Sequence, residues 1–362
     1  MSNTIGTKIK LTILGESHGA SIGCVLDGLP AGVEMDLEAI RREMARRAPG
    51  QNLLSTARQE KDAFIIQSGF FEGRTTGTAL CAIIPNTDAH SKDYSQLKNL
   101  MRPGHADYSA YVHYHGFNDY RGGGSFSGRL TAPLVLAGAV AKQILAARNI
   151  TVGAHIATIR YVEDTAFNPL GESEDTLARL AQMTLPVLEA ERGKAMEEVI
   201  LAARAQKDSV GGIIECMVLG VPAGVGSPYF ASVESKLAQM LFSVPAVKGV
   251  EFGQGFALTE DLGSKANDAM QMVEGRVETT TNNNGGIIGG ITNGMPLIFR
   301  VGIKPTPSIA LEQATVNVAT GENARLTVVG RHDPCIVPRA VPVIEAVTAW
   351  TVLDCILMNG EC

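Results

Sequence analysis

The chain reads as two passes through one series of elements. GASIGCVLDGLPAGV (residues 19–33) resembles SVGGIIECMVLGVPAGV (209–225), and an amphipathic helix pattern follows each. TTGTALCAIIPNT (75–87) resembles ITNGMPLIFRVGIKPT (291–306). SGRLTAPLVLAGAVAKQIL (127–145) resembles RHDPCIVPRAVPVIEAVTAW (331–350). The order is kept throughout. The expectation is a single domain over residues 1–362, built from a duplicated hairpin, helix, strands, helix unit at about 8–148 and 208–358. The charged helical stretch 175–204 is the expected link between the copies.

Residues 131–147 and 339–357 are apolar almost all round, the pattern of helices buried on every side. Strand patterns fall at 8–14, 21–27, 63–68, 78–85, 211–219, 249–258 and 297–303, and further helix patterns at 37–48 and 231–242. In 37–48, Leu37, Ile40, Met44 and Ala48 keep helical spacing, with Asp36 placed as N-cap. Two like halves sharing one core predict an α+β fold: one pseudo-two-fold body with sheets outside and the long helices between them.

Composition removes several function classes. The net charge of −6 argues against general nucleic-acid binding, which needs a basic face. Local arginines can still make a positive cleft for a small anionic ligand. The six cysteines have no CxxC spacing, so neither a disulfide framework nor a metal site is expected. No window approaches 18 uninterrupted apolar residues, and the first residues read as a strand, not a signal peptide. The expectation is a cytoplasmic protein without a membrane span.

Three of the seven histidines sit in turn-rich loops with charged neighbours: GESHG (15–19), RPGHAD (102–107) and GRHDP (330–334). Imidazole is the side chain that titrates nearest neutrality. Three such loops predict proton-transfer chemistry at one site assembled from distant segments by His18, His105 and the His332–Asp333 pair. Asp107 is placed to orient His105. Asp333, before a proline, has helix capping as its competing structural role. RGGGSFSG (121–128) and NNNGGIIGG (282–290) are glycine-rich without matching a Walker loop or a dinucleotide fingerprint. Backbone N–H groups in such loops hold anions. KPTPS (304–308) adds a cation and two hydroxyls, and a phosphorylated cofactor suits this set.

GESHG, RRAPG, RPGHADY, DYRGGG, AVKGVE, NNNGGIIGGITNG, KPTPSI and GRHDPC-PRAVP, in this order, resemble the chorismate synthase family. The resemblance implies a lyase that converts 5-enolpyruvylshikimate 3-phosphate to chorismate and phosphate. The reaction is a 1,4-anti-elimination needing reduced FMN without net redox change, in a β-α-β sandwich with long helices between antiparallel sheets, assembled as a homotetramer. It puts His18 near the substrate phosphate, His105 at the flavin N1 and O2 edge, and Asp333 near flavin N5 as a partner in removing the substrate proton. It assigns flavin binding to Ser125, Phe126, Ser127, Pro245, Ala246, Gly289, Lys304, Pro305, Thr306, Pro307, Ser308 and Arg331. Arg47 falls at an arginine assigned to substrate or NADPH. NADPH, or a separate flavin reductase, is the implied source of electrons. The chain departs from the family pattern at Ser125 and Leu53, which stand where many members have arginine, and at Leu130, which replaces a glutamate. Two rival readings are a flavin oxidoreductase, which consumes NAD(P)H stoichiometrically, and a non-catalytic assembly or ligand-binding protein, indifferent to loss of His18 and His105.

Overall fold

The computed structural model describes residues 3–50, 62–86, 97–328 and 332–360. Leu53 and Arg331 lie outside the described residues. The fold is α+β. One five-stranded sheet runs Thr4–Ile5, Lys10–Gly15, Ser21–Asp27, Leu80–Pro85, Ile65–Ser68. The other runs Val247–Phe252, Leu297–Ile303, Gly212–Leu219, Thr151–Ile159, Val162–Glu163. All neighbouring pairs in both are antiparallel. Burial alternates strictly along Leu80–Pro85, as a strand with one covered face requires.

Two helices fill the space between the sheets. Thr131–Ala146 packs on the first sheet, Val337–Met358 on the second, and each packs on the other. Nearly every residue of both is buried, which accounts for their lack of a polar face. Gly138 makes the close approach possible: a Cβ there would lie 2.2 Å from the Cβ of Ala346. Leu37–Arg47 covers one flank with Ile40 and Met44 buried, and Asp36 caps it through the N–H groups of Glu38 (2.8 Å) and Ala39 (3.0 Å).

Strand pairing extends the second half. Thr151–Ile159, absent from the expected strands, pairs with Gly212–Leu219 as Lys10–Gly15 pairs with Ser21–Asp27. The two sheets then share one order: the two hairpin strands, then the last strand, then the third. The charged stretch lies inside that second hairpin. It is two helices, Glu174–Ala181 and Ala190–Ala205, interrupted at Pro186, which has no N–H to donate and whose carbonyl accepts from Ile156 (2.8 Å).

One ionic cluster is sealed into the helical layer. Glu345, 1% exposed, accepts from Arg46 Nη1 (2.5 Å) and Nη2 (2.8 Å), Lys142 Nζ (2.6 Å) and the Ala154 N–H (3.2 Å). Burial would raise its pKa, but the two cations hold it down at about 2.

Candidate active site

A cleft of about 650 Å³ opens where the N-terminal ends of both central helices meet the loops of the two halves. Thr131 begins one helix; Ile336, Arg339, Ala340 and Val343 begin the other. The positive ends of the two helix dipoles favour an anion there. The walls agree: six cations line the cleft (Arg47, Arg102, Arg129, Lys248, Lys304, Arg339) against one carboxylate, Asp333, among the described residues.

The triple glycine joins the two imidazoles. Gly122, Gly123 and Gly124 all have positive φ. A Cβ on Gly122 would come within 2.2 Å of His18 Cε1 and Nδ1; one on Gly123 would lie 3.1 Å from His105 Cε1. His18 and His105 therefore flank one short run of backbone, although 87 residues separate them in sequence. His105 lines the cleft itself. His18 is buried behind Gly122, with Nδ1 3.3 Å from Ser17 Oγ. The Ser17 N–H donates to the Gly124 carbonyl (3.2 Å), tying the histidine loop to the glycine run.

Carboxylates in and behind the wall hold its cations in place. Asp107 accepts from Arg102 Nε (2.7 Å) and Nη2 (2.8 Å), and Arg102 Nη1 donates to Ser308 Oγ (3.1 Å). Asp62, 2% exposed, takes Arg47 Nη1 (3.0 Å) on one oxygen and Arg129 Nη1 on the other. Arg129 Nε also donates to Asn86 Oδ1 (3.2 Å). Asp333 accepts from Arg339 Nη1 (2.6 Å), whose Nε donates to the Arg47 carbonyl (3.0 Å). Burial, then the Arg102 charge, depresses the His332 pKa, so this imidazole is neutral at neutral pH. Burial, then Lys248, lowers that of Lys304, whose ammonium donates to the Gly104 carbonyl.

Of the residues expected at the site, Arg47, His105, Ser125, Phe126, Ser127, Pro245, Ala246, Lys304, Thr306, Pro307, Ser308 and Asp333 line the cleft. Pro305 belongs to the same loop but not to the wall. Gly289 sits in the turn between Ile287–Ile288 and Ile291–Thr292, away from the cleft walls. Ala246 takes φ +75 in the wall, a left-handed conformation costing a non-glycine residue about 1 kcal/mol or more. Asp62 and Phe242 were missed. An isolated aspartate and a helix-terminal phenylalanine carry no pattern in one sequence. Lys248 stood in plain view within AVKGVE.

A family model described as chorismate synthase matches residues 9–357. Chorismate synthases of Dehalococcoides mccartyi and Methanocaldococcus jannaschii are 43% and 44% identical to the chain, each over 99% of it and over 98% and 97% of their own lengths. That of Thermococcus gammatolerans is 45% identical over 97% of both chains. A solved structure titled as the crystal structure of chorismate synthase superposes with a TM-score of 0.77 at 27% identity, covering 98% of this chain and 93% of that one.

Proposed function

Because the chain belongs to the chorismate synthase family, we propose that its cleft forms chorismate and phosphate from 5-enolpyruvylshikimate 3-phosphate by a 1,4-anti-elimination that requires reduced FMN and has no net redox change. The chain is a carbon–oxygen lyase by family. The observation that carries the reading is one cationic cleft, at two helix N-termini, where a single glycine run is shared by two imidazoles from distant loops.

A ligand bearing a phosphate and two carboxylates suits a wall of six cations and one acid. A cleft of about 650 Å³ is within the range of roughly 300–1,000 Å³ for sites that enclose a cofactor or drug-sized ligand. FMN fits the residues present: Ser125–Ser127, Pro245–Ala246 and Lys304–Ser308, apart from Pro305, line the cleft together with His105, and a side chain at Gly123 would crowd the Cε1–Nε2 edge of that imidazole. When bound, reduced flavin lends electron density to the allylic system as phosphate departs. His18 supplies a proton or positive charge to the leaving phosphate, general-acid help worth about 10²–10⁴-fold. His105 stabilises the anionic edge of the flavin by taking up its proton and, as the imidazolium, donating back to it. Asp333, once Arg339 turns to a substrate anion, is the partner in removing the substrate proton. Arg47, fixed by Asp62, binds substrate or NADPH.

Gly289 and Arg331 complete the flavin set in this reading. Ser125 leaves the glycine loop without the arginine many members carry, and Leu130, at their glutamate, is buried in the core. The body is one domain made of two copies of a single unit. It works in the cytoplasm as a homotetramer, with NADPH or a separate reductase supplying electrons.

Anaerobic incubation with substrate and either photoreduced FMN or NADPH plus FMN, following phosphate release, tests the reading. Many phosphates released per flavin, without stoichiometric NADPH consumption, is the expected result. Stoichiometric NAD(P)H oxidation would instead establish a net oxidoreductase.

A further inference from the structure

Asp107, behind the cleft wall, is held by Arg102 and His105. Oδ2 accepts from the Arg102 N–H (3.0 Å) and Nε (2.7 Å); Oδ1 lies 2.8 Å from Arg102 Nη2 and 2.6 Å from His105 Nδ1. Its side chain is 9% exposed. Burial works against the charge, but hydrogen bonds from Arg102 and His105 hold its carboxyl well below the usual carboxylate range. Asp107 is therefore an anion at any working pH, and an anionic carboxylate only accepts.

That fixes a proton. At 2.6 Å from a carboxylate oxygen, His105 Nδ1 must be the donor. Arg102 Nη2 also lies 3.2 Å from Nδ1, but a guanidinium only donates. Nδ1 cannot serve as donor to one and acceptor to the other, and the Nη2 hydrogen has a shorter acceptor in Oδ1. The other ring nitrogen, Nε2, looks toward Gly123: a Cβ on that glycine would lie 3.2 Å from it.

We propose that Asp107 is a positioning residue that holds His105 as the Nδ1–H tautomer, so that Nε2 is the atom that accepts a proton or hydrogen bond from the ligand in the cleft. The inference rests on the reading that His105 acts on a bound ligand, and it adds which atom acts and what selects it. Arg102 makes the selection rigid. Its guanidinium spans Asp107 and Ser308, so the histidine loop and the loop 304–308 hold one geometry.

Asp107→Asn discriminates. Arg102 needs an acceptor, so the amide oxygen stays with the guanidinium and the NH₂ faces His105. Nδ1 must then accept, and the proton moves to Nε2. Full-length protein labelled with ¹⁵N-histidine reports the tautomer directly at a pH where the ring is neutral, His105 being identified by the signal lost in His105→Gln. The wild type is expected to show Nδ1–H and the variant Nε2–H, with phosphate release falling by roughly 10²–10⁴-fold; the same exchange behind a protease histidine costs about 10⁴. An Nε2–H wild type, or a variant that keeps the wild-type tautomer, overturns the proposal. A switched tautomer with unchanged turnover overturns the catalytic use of Nε2 while leaving the lyase reading intact. Should the variant fail to fold, the wild-type spectrum alone decides the tautomer.

Discussion

Gly122→Ala should separate site geometry from stability. Gly122 has φ +57 and ψ 17, left-handed backbone that costs an alanine about 1–2 kcal/mol. The larger effect is steric. The new methyl would stand 2.2 Å from His18 Cε1 and Nδ1, and an ordinary contact needs about 3.4 Å, so imidazole and loop must part by roughly 1.2 Å. Misplacing a catalytic group by about 1 Å can cost on the order of 10²-fold. Phosphate release under reduced-FMN conditions should therefore fall by about two orders of magnitude, with unfolding free energy lowered by about 2–5 kcal/mol, the backbone strain and the overpacking together. Gly123→Ala is the internal control. Its methyl would be 3.1 Å from His105 Cε1, which asks for a few tenths of an ångström, and its turnover loss should be clearly smaller. Gly122→Ala turnover within about threefold of wild type, at full folding, would refute the placement of His18 in the reaction.

Three more outcomes follow from charges. Glu345→Ala strands Arg46 and Lys142 in the helical layer with Glu43 alone, so urea denaturation should register a loss of about 3–5 kcal/mol; under 1 kcal/mol would show the cluster to be well solvated. His155, fully buried, lies between Asp164 (3.2 Å) and Glu215 (3.0 Å), and although burial pushes its pKa down, the carboxylates raise it on balance. A raised histidine contributes its full stability below its unfolded value near 6.5, and the contribution fades as pH climbs through the folded value. Denaturation free energy should therefore decline as pH rises above about 6.5 in the wild type and less in His155→Gln; equal slopes would contradict this. Asp333→Asn should lower turnover at least tenfold while leaving the urea midpoint nearly in place. A collapsed midpoint would make the Arg339 contact its main role.

Local sequence determined the elements that local sterics control. The strands Ser21–Asp27 and Leu297–Ile303, the start of Leu37–Arg47 at Asp36, and the two apolar helices were all legible, because periodicity and capping depend on neighbours a few residues away. The histidine loops were legible for a similar reason: glycine and proline punctuation marks where the chain must turn. Thr151–Ile159 was not, since a strand becomes one by pairing, and its partner stands across a helical insertion. Nor was Asp62, an unremarkable aspartate in sequence whose importance comes from two arginines that arrive from separate helix ends. Only the packed layers decided that Gly122 and Gly123 would lie between His18 and His105, and that six cations would face one cleft. Those are distances between segments remote in the chain, set by the burial of two helices against each other and not by any pattern along the backbone.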